Sequence, residues 1–285
     1  MEEIKLSSRS IIDDAQWLSV HGKEQAKSKV LRLRTFYGGD TAVNDYSDLT
    51  LTGNTVEDFI SLRVSDDHYM KSRTAETQDE RKIFGYDDYQ INAHYDAYYN
   101  SIVFTAGFIR FYQETGDVSE EENLGFMGCT MAHELGHAYD PKGSDYTSKG
   151  EYNPWMSDEE KAIYSEKTQK IADFFDGRKT EYEKVIDGEL VMNETYADLM
   201  AVESCLRILA EKEDPDYDAF FRSYARNRAA YYTEDGIEYA VTDSHLPAKE
   251  RINLVLGQFE KFYETYDIDE SSPYYVKAED RLSTF

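Results

Sequence analysis

The sequence predicts an α+β fold, mostly helical with a small sheet. Apolar residues recur at helical spacing along most of the chain, and only three short segments read as strands. No internal repeat or low-complexity tract interrupts the pattern. In chain order, helices are expected over 15–29, from Thr55 onward, and over 118–139, 157–176, 192–210, 216–232 and 248–265. A short one is expected near 276–282. Strands are expected over 31–36, 90–95 and 101–105. The last two are separated by Asp96-Ala97-Tyr98-Tyr99-Asn100 and read as a hairpin or sheet edge. Gly38-Gly39-Asp40 and Gly53-Asn54 mark turns, and Ser157-Asp158-Glu159-Glu160 has the spacing of a capping box opening its helix. At 40% hydrophobic and 14% aromatic, the chain has ample material for a core.

The stretch richest in chemistry is His133-Glu134-Leu135-Gly136-His137. Residues four apart share one helical face, so two imidazoles can converge on one ion while Glu134 reaches a water on it. Phe126-Met127-Gly128-Cys129-Thr130-Met131-Ala132 leads in without proline, and Asp140-Pro141-Lys142-Gly143 ends the helix. The alternative, a solvated helix that happens to hold two histidines, fits poorly. Only six histidines occur in 285 residues, and this helix is too apolar for a solvated face.

Catalytic zinc usually takes three protein ligands and leaves a position for water. Glu194 and Asp198, again four apart, lie in an apolar-periodic run to about Leu209. Glu194 is the candidate third ligand, and Asp198 the candidate acceptor for a ligand histidine's free N–H. By itself the pair reads equally as the wet face of an amphipathic helix; the buried character of Ala197, Leu199, Met200, Ala201 and Val202 favours the ligand role. A third cluster, Thr242 to Asn253, holds His245 beside Asp243 as a candidate oxyanion stabiliser. It also holds Arg251 as a candidate grip on a substrate carbonyl or carboxylate. Taken alone, this cluster is a loop with a lone histidine followed by a helix start at Pro247.

These motifs together resemble the neprilysin family of zinc metallopeptidases, gluzincins with two histidine ligands and one glutamate. The match is ordered and runs from about Trp17 to the C-terminus. Ile91-Asn92-Ala93-His94-Tyr95 and Asn100 to Gly107 resemble the family's substrate strand, and His133 to Asp140 its zinc helix. Glu194 to Asp198 resemble its second ligand helix, and Asp243 to Pro247 with Arg251-Ile252-Asn253 its C-terminal signature. The resemblance implies a thermolysin-like zincin catalytic lobe holding one Zn2+ per chain on His133, His137 and Glu194. It implies Glu134 as general base, with Asp198 orienting a ligand histidine and His245, supported by Asp243, stabilising the transition state. It implies Asn92, Ala93 and Arg251 holding the substrate backbone. Departures are His94 where an aromatic is common, Met200-Ala201 in place of glycines, and Phe108 to Gln113 in place of a proline-rich stretch.

Family members are typically more than twice this length, with a helical lobe capping the catalytic one. Residues 1–85 are therefore expected to form an N-terminal helical segment, a remnant of or connection to a missing lobe, and 86–285 the catalytic domain. The expected activity is hydrolysis of internal peptide bonds. The rivals are an exopeptidase on the same zinc scaffold and an isolated lobe needing a partner chain. The compartment follows from the same question: extracellular or cell surface for a piece of a longer member, cytoplasmic for a complete short one.

The remaining features set limits. A formal charge of −26 argues against nucleic acid or anionic lipid as partner and, more weakly, for basic peptides as substrates. No run of about 18 apolar residues offers a membrane span, and Met1 to Ser8 lacks a secretory pattern. Cys129 and Cys205, the two cysteines, fall in apolar helical runs and read as small buried hydrophobes rather than thiolate ligands.

Overall fold

In the computed structural model of the protein, the described residues are 1–39, 44–75, 87–272 and 274–285. The expected boundary between 85 and 86 and Asp40 of the first turn fall outside them.

The chain opens with α1 (Glu2–Asp14), which the sequence reading missed. Its buried stripe is Ile4, Ser7, Ser8, Ile11 and Ile12, so two serines stand where apolar residues would announce a helix face. Both are satisfied by one neighbour: Ser7 Oγ donates to Ser204 O at 2.8 Å, and Ser8 Oγ lies 3.4 Å from Ser204 Oγ. Helix α2 spans Val20–Arg32, shifted from the expected 15–29. Ser19 caps it, accepting from Gly22 N, while Ser19 N donates to Glu160 Oε1 at 2.8 Å. The other oxygen of that carboxylate closes the capping box of α7 (Asp158–Phe175) by accepting from Ser157 N. One buried glutamate thus fixes two helix starts together.

Strand β1 (Arg34–Gly38) pairs parallel with β3 (Ser101–Thr105), and β2 (Ala93–Asp96) pairs antiparallel with β3. The order β1-β3-β2 puts a fully buried strand in the middle and leaves β2 at an edge. Asn100 makes the turn between β2 and β3 at φ 43°, a left-handed conformation that asparagine tolerates. Its amide donates to Lys29 O and Ser148 O.

Helix α3 (Thr55–Ser72) begins where expected, capped by Asn54, and buries none of its described residues. After α4 (Ala106–Gln113) and the short α5 (Glu120–Asn123), the expected continuous helix over 118–139 is interrupted. Leu124–Gly128 widens to a π-helix, then α6 (Cys129–Gly136) carries the histidine motif. Such wide turns favour functional segments. Helix α8 (Gly188–Ala210) carries Glu194 and Asp198 and packs directly on α6. The contact is close because Gly136 has no side chain: a Cβ there would stand 2.8 Å from Ala197 Cα.

Helix α9 (Tyr217–Arg228) stops before the expected 232, and α10 (Glu234–Ala240) starts on a Thr233 cap. The expected helix over 248–265 divides into α11 (Ala248–Leu256) and α12 (Glu260–Tyr266). Near the C-terminus only a 3-10 turn forms, Ala278–Asp280. The core joins α1 and α2 to the sheet and to α6 through α9 in one apolar cluster. Among the described residues no helix is long and apolar enough to cross a membrane.

Candidate active site

The α6–α8 contact brings three predicted residues to one point. His133 Nε2 and His137 Nε2 are 3.2 Å apart, and Glu194 Oε2 lies 3.3 Å and 3.4 Å from them. Among the described residues this trio is the one group of histidine, cysteine, aspartate or glutamate side chains gathered closely enough to share an ion. Cys129 and Cys205 are free, fully buried and outside it, as small core hydrophobes.

The trio fits a divalent cation. His133 Nδ1 faces Asp198 Oδ1 at 2.9 Å, and His137 Nδ1 faces Asp140 Oδ2 at 2.7 Å. Each carboxylate takes the ring N–H, which leaves the Nε2 lone pairs pointing at one another and at a carboxylate oxygen. Accordingly, Glu194 Oε2 is buried with no hydrogen-bond donor, although three imidazole nitrogens stand within 3.4 Å. Lone pairs converging this way need positive charge between them. Burial opposes a charged His137, but Asp140, Glu194 and the Glu134 charge outweigh it and hold its pKa well above the ordinary range. The same surroundings that favour a proton there favour a metal ion in its place.

Asp140 was read from sequence only as a helix terminator. It turns out to be the counterpart of Asp198, with Oδ2 on His137 and Oδ1 accepting from Lys142 N and Gly143 N. Its signal was present, since it lies three residues after the second histidine. Behind it stands Lys29 of α2, fully buried, donating to Ala138 O at 2.6 Å and Gly143 O at 2.8 Å. Nothing local in the sequence reveals that contact, which spans more than a hundred residues.

Arg251 closes on Asp198 through Nε at 2.6 Å and Nη2 at 2.9 Å, while also lining the cleft. Burial disfavours the Asp198 charge, but Arg251 and then His133 outweigh it and hold the carboxyl well below its usual range. His245 sits over the cluster with Nε2 3.1 Å from Glu194 Oε2; its Nδ1 lies 2.7 Å from Asp243 Oδ1. Burial opposes its charge, and the neighbouring Glu194 and Asp243 carboxylates raise its pKa nonetheless.

His133, His137, Asp140, Glu194, His245 and Arg251 line a cleft of about 900 Å3 that also contains Glu134, Asn92, Ala93 and His94. Glu134 is buried beside the trio. Ala93 opens β2, the edge strand, opposite Phe104, while Asn92 lies just before it, holding Thr105 through its backbone. An edge strand along a cleft can take an extended peptide by strand addition. His94 lies in this wall with its pKa lowered by burial.

Residues 92–282 match the family model described as peptidase family M13. A neutral endopeptidase of Lactococcus lactis subsp. lactis is 30% identical over 273 residues, covering 94% of this chain and 43% of that protein. Neprilysin-3 of Drosophila melanogaster is 24% identical, covering 93% of this chain and 36% of its own length. Two solved structures share the fold. PepO from Lactobacillus rhamnosis superposes with a TM-score of 0.86 at 24% identity, covering 99% of this chain and 45% of that one. The zinc metalloprotease Zmp1 of Mycobacterium tuberculosis, solved with an inhibitor, gives 0.87 at 19%, covering 99% and 46%. The chain thus spans less than half the length of these relatives. By its sequence match and its fold, it belongs to peptidase family M13, the neprilysin family of metallopeptidases.

Proposed function

We propose that this chain is the catalytic lobe of a zinc-dependent endopeptidase. The observation that carries the proposal is the convergence of His133, His137 and Glu194 in a cleft that also holds Glu134 and an open strand edge. His133, His137 and Glu194 hold one zinc ion, with Asp198 and Asp140 fixing the two imidazoles so that Nε2 faces it. Bound there, zinc supplies a Lewis acid that acidifies water and polarises a carbonyl.

The protein groups do the rest. Glu134 takes the proton of the attacking water on its carboxylate and passes it to the leaving amine. His245, its pKa raised by Glu194 and Asp243, donates from Nε2 to the oxyanion that develops on the substrate. Asn92 and Ala93 align the peptide along the edge of β2, and Arg251, which lines the same cleft, reaches the substrate backbone while bracing Asp198.

A second version has this lobe requiring further polypeptide, as a preceding lobe or a partner chain. Two observations favour it. The chain covers under half of its relatives. Helix α3 also leaves Val56, Phe59, Ile60 and Val64 exposed, a stripe at helical spacing.

The test is metal analysis of the purified chain together with cleavage of blocked peptides, with Glu134→Gln as control. One equivalent of zinc and internal cuts that vanish in Glu134→Gln support the endopeptidase. Cuts only in peptides with a free terminus would replace it with an exopeptidase. Zinc without any cleavage would turn the search to the missing lobe.

A further inference from the structure

Beyond the groups above, the cleft contains a second guanidinium, Arg228, the last residue of α9. Its side chain is only 6% exposed. The guanidinium lies over the Tyr224 ring, 3.7 Å from the centroid, and Nη1 reaches Tyr224 O at 3.5 Å. Nη2 stands 3.6 Å from Asp198 Oδ1, beyond hydrogen-bond range, and Nε is buried with no partner. Arginine carries five N–H donors and stays charged at any physiological pH, so most of this fork is uncommitted.

The charge count is equally unbalanced. Asp198 is the anion within reach, and it is already taken. Arg251 grips both oxygens, and His133 shares Oδ1. Two guanidiniums therefore share one carboxylate. Glu194 is committed to the histidine trio and Asp243 to His245, while Asn227, Ala229 and Ala230 add no charge to this wall. Keeping an unneutralised guanidinium away from water is costly unless an anion completes it.

We propose that Arg228 forms a subsite for a substrate carboxylate, making it a specificity residue of the cleft. The anion is either an Asp or Glu side chain of the peptide or its free C-terminal carboxylate; both offer two oxygens to the guanidinium fork. The proposal rests on the peptidase reading of the site. It also runs against the long-range field of this acidic chain, which favours basic peptides. Salt screens that field, whereas a buried contact is screened far less.

Binding to zinc-loaded Glu134→Gln, measured by fluorescence anisotropy at near-physiological salt, tests the subsite without requiring turnover. The probes are blocked peptides with Glu or Gln scanned through each position, plus a Gln peptide with a free C-terminal carboxylate. We expect one carboxylate placement to bind about 10-fold tighter than its neutral counterpart, as for a charge-assisted pair. Arg228→Gln in the same background should bring that acid-to-amide ratio to about one, and Arg228→Lys should retain part of it. Whether the Glu side chain or the terminal carboxylate carries the preference identifies the source of the anion.

A merely structural Arg228 would weaken every peptide alike and leave the ratio intact, overturning the proposal. So would a parent protein indifferent to carboxylates at every placement. If Arg228→Gln does not fold, the parent ratio and the lysine variant still decide. Absence of cleavage by the wild type would rule out a lobe active by itself while leaving this ratio readable.

Discussion

Arg251 holds Asp198 at two points, Nε to Oδ2 and Nη2 to Oδ1, and through that carboxylate it positions His133. The arginine expected to grip substrate is thus also part of the scaffold behind the candidate metal site. Asp198→Ala should weaken zinc binding roughly 10- to 100-fold, because His133 loses the acceptor that fixes its ring. It should also destabilise the metal-free protein by about 3–5 kcal/mol, since Arg251 loses its buried partner. A chelator competition titration and a urea midpoint in chelator check the two effects separately. Unchanged zinc affinity would remove Asp198 from the site.

Asp140 should behave like Asp198 on the zinc side. Asp140→Asn can keep its oxygen on Lys142 N and Gly143 N, but it then turns an NH2 donor toward His137 Nδ1 and removes the acceptor there. We expect zinc affinity to fall about 10-fold or more. At saturating zinc, turnover should largely recover. If turnover stays low there, Asp140 acts on the chemistry and not on the metal.

His245→Phe should lower kcat more than it changes KM, because the hydrogen bond it removes is made mainly in the transition state. The acidic neighbours raise the His245 pKa, so its donor is present at low pH and is lost as pH rises through that raised value. Activity should therefore show an alkaline limb that Asp243→Asn moves to lower pH by removing one of those anions. A limb that stays in place in Asp243→Asn would assign it to another group.

Lys29 makes a prediction about stability. Burial pulls its pKa from 10.5 to about 7, against the opposing charges of Asp140 and Asp145. Between those two values the unfolded chain holds a proton that the folded one has lost. Stability should therefore rise with pH across that window, by up to about 1.4 kcal/mol per unit from this group, and level off below it. Urea midpoints at pH 7 and pH 9, compared between wild type and Lys29→Met, isolate the slope. Equal slopes in the two proteins would show Lys29 to be charged throughout.

Much of the site was legible in sequence because it is built from short-range spacing. Residues four apart on a helix must share a face, so the His133–His137 and Glu194–Asp198 pairs, and the base between the histidines, could be read locally. The Ser157–Glu160 capping box is local for the same reason. Helix ends were less legible. The run from 248 to 265 breaks at Gly257-Gln258-Phe259, and α1 hides two serines in its buried face.

Fold class and the candidate ligand pairs could be read from residue type and spacing alone. What stands behind those pairs comes from packing. Lys29 under the turn and Arg228 beside Asp198 depend on which helices meet. The meeting of α6 with α8 turns on one missing side chain, at Gly136 against Ala197. Contacts between residues far apart in the chain come from packing the apolar faces of whole helices against one another. No local spacing encodes them.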